Sequence, residues 1–216
     1  MLRVLGLRLV RGAPTERAEL RVEDDLAELV TRFRAGDRKA VRTLLVSLAS
    51  PMLQVIRRVL GAHHPDVDDT LQESTIALLR GLRAFRGDCT ARHFACRIAA
   101  FTAISARRRR RVEDDSAPLG EFEEEPPADG DGAADTDWAI AARRRRLIRR
   151  LLDDLPEPQA EALVLHVVAG LTVGELAATT RVPVETARSR LRLAKTALRL
   201  RIASDPTAGE LLEEER

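Results

Sequence analysis

From Val184 to Ala203 the chain sets Glu185, Ser189, Arg192 and Thr196 along one line of a helix, flanked by Thr186, Arg188, Arg190, Lys195 and Arg199. At about 100° per residue these lie away from the stripe Val184, Ala187, Leu191, Ala194 and Leu198. The polar types suit nucleic acid: Arg pairs with guanine edges, Ser and Thr bond bases or phosphates, and a carboxylate accepts from cytosine. The bland alternative is a solvated amphipathic helix. Context favours the first reading. Arg181-Val182-Pro183 is a short turn, and Thr172 with Glu175 reads as a capping box for a preceding helix with Val173, Leu176 and Ala177 inside. Two helices across a tight turn, the second cationic, make a helix-turn-helix that offers its second helix to a major groove.

Other clusters could also do chemistry. Cys89, His93 and Cys96 fall at i, i+4, i+7 and could begin a zinc site. No fourth ligand is local, and Cys is commonly a small buried hydrophobe, so no metal or cofactor is expected. No nucleophile–base set or phosphate loop is evident, which argues against an enzyme. A helix from Asp66 to about Leu82 is expected to bury Leu71, Thr75, Leu78, Leu79 and Leu82. Its other face, Asp69, Gln72, Glu73, Ile76 and Arg80, is acidic with one outward Ile and suits either a protein contact or simple solvation. After Gly87-Asp88, Thr90 can cap a helix carrying Phe94, Ile98, Phe101 and Ile104 and ending in the run Arg107 to Arg111. Five adjacent cations exceed what a helix C-terminus needs and point to phosphate. Aromatics beside such a run can stack on unpaired bases, or can simply be core.

The 216-residue chain that must hold these residues is rich in Ala, Leu and Arg, has no Tyr, and carries a net charge of only +2 that hides strongly segregated basic and acidic blocks. That is a helical composition, with charge arranged for partners rather than for solubility alone. Residues 1–23 read as an extension lacking stable structure; Arg3 and Arg8 interrupt its apolar start, so it does not resemble a secretory leader. Residues 24–111 read as a helical domain, with helices Asp25 to Arg34 and Lys39 to Leu60 before the two already described, and Pro51 either kinking the second or starting a new segment. Residues 112–137 hold acids without a base, plus Pro and Gly, and read as a flexible linker. Residues 138–203 form the second domain: Trp138, a helix Ala139 to Leu155 carrying Arg143 to Arg146, Arg149 and Arg150, then a helix after Pro156 and Pro158 with Ala160, Leu163, Val164, Val167 and Val168 on one face, closed by Gly170, then the helix-turn-helix. Residues 204–216 are an acidic tail. Two cysteines make no disulfide framework, and no apolar run is expected to span a membrane, so a reducing cytoplasm is the simpler location. The expected fold is all-α, two helical domains joined by a flexible acidic linker.

The order of these pieces resembles bacterial RNA polymerase sigma factors of the sigma-70 family, in the extracytoplasmic-function (ECF) group. Asp69-Thr70-Leu71-Gln72-Glu73, Phe85-Arg86-Gly87 and Arg97-Ile98-Ala99 resemble motifs of region 2. Leu155-Pro156, Gln159, Gly170-Leu171-Thr172, Glu175-Leu176-Ala177 and Val182 to Leu191 resemble region 4. The resemblance implies that Asp69, Gln72, Glu73, Ile76 and Arg80 dock on core RNA polymerase. It implies that Phe85, Arg86, Arg92, His93, Phe94, Arg97, Phe101, Arg107 and Arg108 meet the minus-10 element, and that Glu185, Thr186, Arg188, Ser189, Arg190, Arg192 and Thr196 read the minus-35 element of promoter DNA. It brings an anti-sigma protein as a further partner. The family usually has Trp where Phe94 stands, and often Asn and Asp where Phe101 and Ser105 stand, which implies an unusual minus-10 sequence. A stand-alone helix-turn-helix regulator, acting without polymerase, is the alternative.

Overall fold

A computed structural model describes the backbone of residues 16–114, 150 and 152–204, and side chains within 25–110, 150 and 152–204. The expected linker beyond residue 114, the acidic tail after Ser204 and most of the arginine-bearing helix before Leu155 lie outside the described residues. Seven helices and no strands occur among those described: α1 Glu16–Arg34, α2 Arg38–Leu60, α3 Val67–Arg83, α4 Ala91–Asp114, α5 Glu157–Val167, α6 Val173–Thr180 and α7 Val184–Ser204.

The first four helices form one module. α1 starts at Glu16, inside the stretch expected to lack structure. Glu, Arg, Ala and Leu dominate there, with no Gly or Pro after Pro14, so helix propensity accumulates without a breaker. At the α1–α2 corner Gly36 takes a left-handed φ of 90°. Asp37 caps α2, accepting from the N–H groups of Lys39 (2.8 Å) and Ala40 (3.3 Å). The same carboxylate receives the Arg32 guanidinium through Nε (3.0 Å) and Nη2 (2.7 Å), and that hydrogen bond, before the backbone ones, holds the Asp37 pKa below its ordinary value. α2 runs unbroken through Pro51 and buries Leu44, Leu48, Met52, Val55, Ile56 and Val59. By length and composition alone α2 could cross a membrane, contrary to the sequence expectation. Its apolar residues instead make the module's core, each fully buried one contributing about 1.5–3 kcal/mol.

α3 differs from expectation by a rotation. Its buried line is Val67, Thr70, Ser74, Leu78 and Leu82, while Leu71, Thr75 and Leu79 are only half-buried. Small residues at 70 and 74 let α3 lie close to α4, whose own buried residues are mostly alanine: Ala91, Ala95, Ala99, Ala100, Ala103 and Ala106. Asp66 precedes α3 as expected but makes no side-chain cap bond. Its carboxylate is taken by Arg110, with Nε–Oδ2 at 2.6 Å.

The helix-turn-helix forms as read. Thr172 Oγ1 accepts from the Glu175 N–H (3.3 Å) and the Glu175 carboxylate accepts from the Thr172 N–H (2.7 Å). Burial works against the Glu175 carboxylate, but the Thr172 hydroxyl and N–H outweigh it and hold its pKa below the ordinary value. Arg181 closes α6 in the left-handed region at φ 55°. α7 buries Ala187, Leu191, Ala194 and Leu198. Val184, expected on that stripe, is 45% exposed. It lies about 50° from the stripe's centre at the first helical position.

The relation of the modules departs most from expectation. They pack directly, α5 and α6 lying on α4. α5 was expected to bury one face, yet Ala160, Glu161, Ala162, Leu163, Val164, Leu165 and Val167 are all buried. A helix buried all round is covered on opposite sides; α5 has α7 on one and α4 on the other. One continuous apolar cluster runs from Leu26 in α1 to Leu198 in α7.

Candidate nucleic-acid interface

Two helices carry the residues expected to meet DNA, and the structure treats them differently. On α7, Glu185, Arg188, Arg192, Thr196 and Arg199 are exposed, and Thr186, Ser189, Arg190 and Lys195 are half-buried along the edges. Glu185 and Arg188 form an ion pair one turn apart. The capped α6 and the turn at Arg181 to Pro183 hold the start of α7 outward. Apolar residues share this surface: besides Val184, Leu193 is 42% and Leu200 is 67% exposed. Sequence reasoning missed them by following only polar types; their i, i+7 spacing beside Ser189 and Thr196 was the available signal. An outward Leu or Val at a groove can meet a thymine methyl.

On α4 and in the loop before it the expected residues have different surroundings. Arg86 and Arg92 are exposed, and so is Phe101, at 49%. Phe85 and Phe94 pack on each other, ring centroids 5.0 Å apart. Phe94 also fills the space above Gly81, where an added Cβ would stand 2.9 Å from Phe94 Cζ. So Phe94 is packing within the module and Phe101 is the aromatic presented to solvent. His93 is half-buried, its N–H donating to Thr90 Oγ1 (3.1 Å), with Glu175 of the second module in its electrostatic reach.

Arg97, Arg107 and Arg108 are engaged by the second module. Arg97 donates through Nε to Glu161 Oε1 (3.0 Å) and through Nη1 to the Thr179 carbonyl (3.1 Å). Arg107 grips Asp153 with both arms, Nε–Oδ1 2.6 Å and Nη2–Oδ2 2.5 Å, while Nη1 reaches the Val59 carbonyl at 3.4 Å. Arg108 bonds Glu157 (2.9 Å) and the Leu155 carbonyl (2.8 Å). Arg109 and Arg110 turn back to Glu73 and Asp66 within the first module. Arginines 107 to 110 are therefore an ion-paired row in this arrangement. Each cation has a carboxylate partner far away in sequence, which no local pattern could have assigned.

The acidic ridge stays open. Asp69, Gln72, Glu73 and Arg80 are exposed, and Ile76 is 44% exposed. Cys89 and Cys96 do not converge with His93 on a metal-binding group, and among the described residues no such group occurs. Burial pushes both thiols up, that of Cys96 to about 11.

Comparison with known proteins fits this geometry. Residues 44–113 match the family Sigma-70 region 2, and residues 145–198 match Sigma-70, region 4. The chain is 32% identical to the ECF RNA polymerase sigma-E factor of Salmonella typhimurium strain LT2 over 174 residues, 79% of this chain and 90% of that protein. This protein belongs to the sigma-70 family, among the ECF sigma factors. The ECF RNA polymerase sigma-E factor of Escherichia coli K12 is 31% identical with the same coverage, and the RNA polymerase sigma-H factor of Pseudomonas aeruginosa is 30% identical over 175 residues. The fold is also that of CnrH, solved in complex with the cytosolic domain of CnrY: TM-score 0.53, 20% identity, covering 82% of this chain and 96% of that one. As an ECF sigma factor, the chain serves promoter recognition and transcription initiation with core RNA polymerase, a regulatory role.

Proposed function

We propose that this sigma factor divides its work among three surfaces. The ridge Asp69, Gln72, Glu73, Ile76 and Arg80 binds core polymerase. Arg86, Arg92, Phe101 and the α4 arginines 97, 107 and 108 take the minus-10 region, Phe101 stacking on an unpaired base while Arg side chains hold phosphates. Capture of an extruded base offsets part of the stacking and pairing lost on melting. Glu185, Thr186, Arg188, Ser189, Arg190, Arg192 and Thr196 read the minus-35 element, with Leu193 as an apolar neighbour. The factor works in the cytoplasm, and an anti-sigma protein is its restraining partner. The observation that carries this reading is the exposed reading helix α7, set behind the capped α6, in the same chain as an exposed acidic ridge with an outward Ile76.

Run-off transcription with purified core polymerase on the gene's own upstream region tests it. A specific transcript is expected, and Glu73→Lys should lower core affinity while the thermal melt stays unchanged. A chain that ignores core polymerase yet binds an operator tightly would instead be a stand-alone regulator. Undiminished core affinity in the Glu73→Lys protein would remove the ridge from the account.

A further inference from the structure

Two large aliphatics stand in the open on the outer line of α7, Leu193 at 42% and Leu200 at 67% exposure. Seven residues apart, they project in nearly the same direction. Arg192 and Arg199 flank them at the same spacing, and Lys195 lies half-buried on the same side. Elsewhere on α7, Arg188 is paired with Glu185, and Arg201 with Asp154 at 3.2 Å. Arg192, Lys195 and Arg199 have no carboxylate partner among the described residues. Groove reading accounts for the first turns of such a helix, whose side chains reach base edges. It does not account for Leu200, which lies about 24 Å along the axis from Val184. An apolar pair edged by cations fits a segment that is itself apolar and acidic.

The chain carries such a segment directly after α7. Between residues 205 and 216 five acids, Asp205, Glu210 and Glu213 to Glu215, stand against Arg216 alone, with Leu211 and Leu212 among them. Pro206 and Gly209 suit a break in the helix and a reversal of the chain. The reach is sufficient. Arg192 lies about 18 Å back along α7 from Ser204, while Asp205 to Glu213 spans about 30 Å when extended. We propose that residues 205–216 fold back along α7, Leu211 and Leu212 covering Leu200 while the flanking acids take Arg199, Lys195 and Arg192. This rests on the assignment of α7 to the minus-35 element. Carboxylates then occupy guanidinium groups that DNA would use, and DNA must displace them. A tethered segment acts at roughly millimolar effective concentration, so a contact of modest strength is enough. The apparent affinity of α7 for DNA is reduced to the fraction of molecules in which the tail is off.

The experiment compares the full chain with one ending at Ser204, both without polymerase. Binding to a labelled DNA duplex of random sequence is read at fixed low salt, and the methyl NMR signals of Leu193 and Leu200 are followed in parallel. The shortened chain should bind DNA roughly tenfold tighter, and the Leu200 signals should shift. Leu211→Ser with Leu212→Ser leaves the charge of the tail intact and should recover roughly threefold of that gain. A synthetic peptide of residues 205–216, added to the shortened chain, should return the Leu200 signals toward their positions in the full chain. The same peptide with serine at both leucine positions should not. Leu200 signals that are identical in the full and shortened chains overturn the docking. So does a gain in DNA affinity on truncation that the leucine double variant does not share, since that is charge acting at a distance. Leu200 signals that shift while DNA affinity holds steady uphold the docking and sink the reading of DNA by α7.

Discussion

Helices α4 and α7 are both cationic, both amphipathic and both expected to face DNA, yet they sit in opposite circumstances. α7 is packed on one stripe and open elsewhere: Arg192 and Arg199 are exposed, Arg188 pairs only with Glu185 one turn away, and Arg201 alone reaches an acid before α5, Asp154 at 3.2 Å. α4 is packed by its own module on one side and by α5 and α6 on another, and its arginines meet carboxylates. The difference shows that the fate of a surface charge is set by what else the chain can bring to it. Acids on α5 and just before it reach α4; none of the described acids reaches Arg192.

The strongest way to break this contrast is to damage α5, which supports both helices. Leu165 is fully buried there, and Leu165→Ala should cost about 2–5 kcal/mol in chemical unfolding. Leu200→Ala, on the open side of α7, should stay within about 0.5 kcal/mol. Equal costs would mean that α7 is covered in solution. Next in size, Arg192→Ala should lose about 1–3 kcal/mol of minus-35 discrimination in holoenzyme binding and almost no stability. An unaltered promoter preference would remove that contact. Thr172→Ala should cost about 1 kcal/mol by opening the capping box that aims α7, measured by thermal melting. Smallest is the acid dependence of the same box. A carboxylate with a lowered folded pKa contributes stability that is present above its ordinary value of 4.5 and is lost as pH falls through the lower folded value. The stability gap between the unaltered chain and Glu175→Gln should therefore be full at neutral pH and close below pH 4.5. A gap that persists in acid would show that the Gln variant suffers from packing rather than charge.

Much of the fold was legible because it is local. Periodicity located α2 and α5 to α7 to within a residue or two, and the Thr172–Glu175 pair announced its own cap. The outward face of α3 was read correctly although its buried line was not, because Thr70 and Ser74 look polar in sequence and act as small spacers against the alanines of α4. Val184 was misplaced because a stripe says nothing about where its partner helix ends. Phe94 and Phe101 could not be told apart from sequence: spacing on α4 is similar for both, and only the Gly81 gap and the Phe85 ring decide which is packed.

By itself, the sequence determined which segments are helical, where two of them turn, and which residues could read DNA, since backbone propensity, caps and side-chain period act over a few residues. The tertiary structure decided which of those residues are free to do so. Arg97 meets Glu161, and Arg107 meets Asp153, across long stretches of chain, through contacts that exist only once α5 lies on α4. Pairing of that kind depends on how helices are stacked in space, and nothing within a single turn of helix records it.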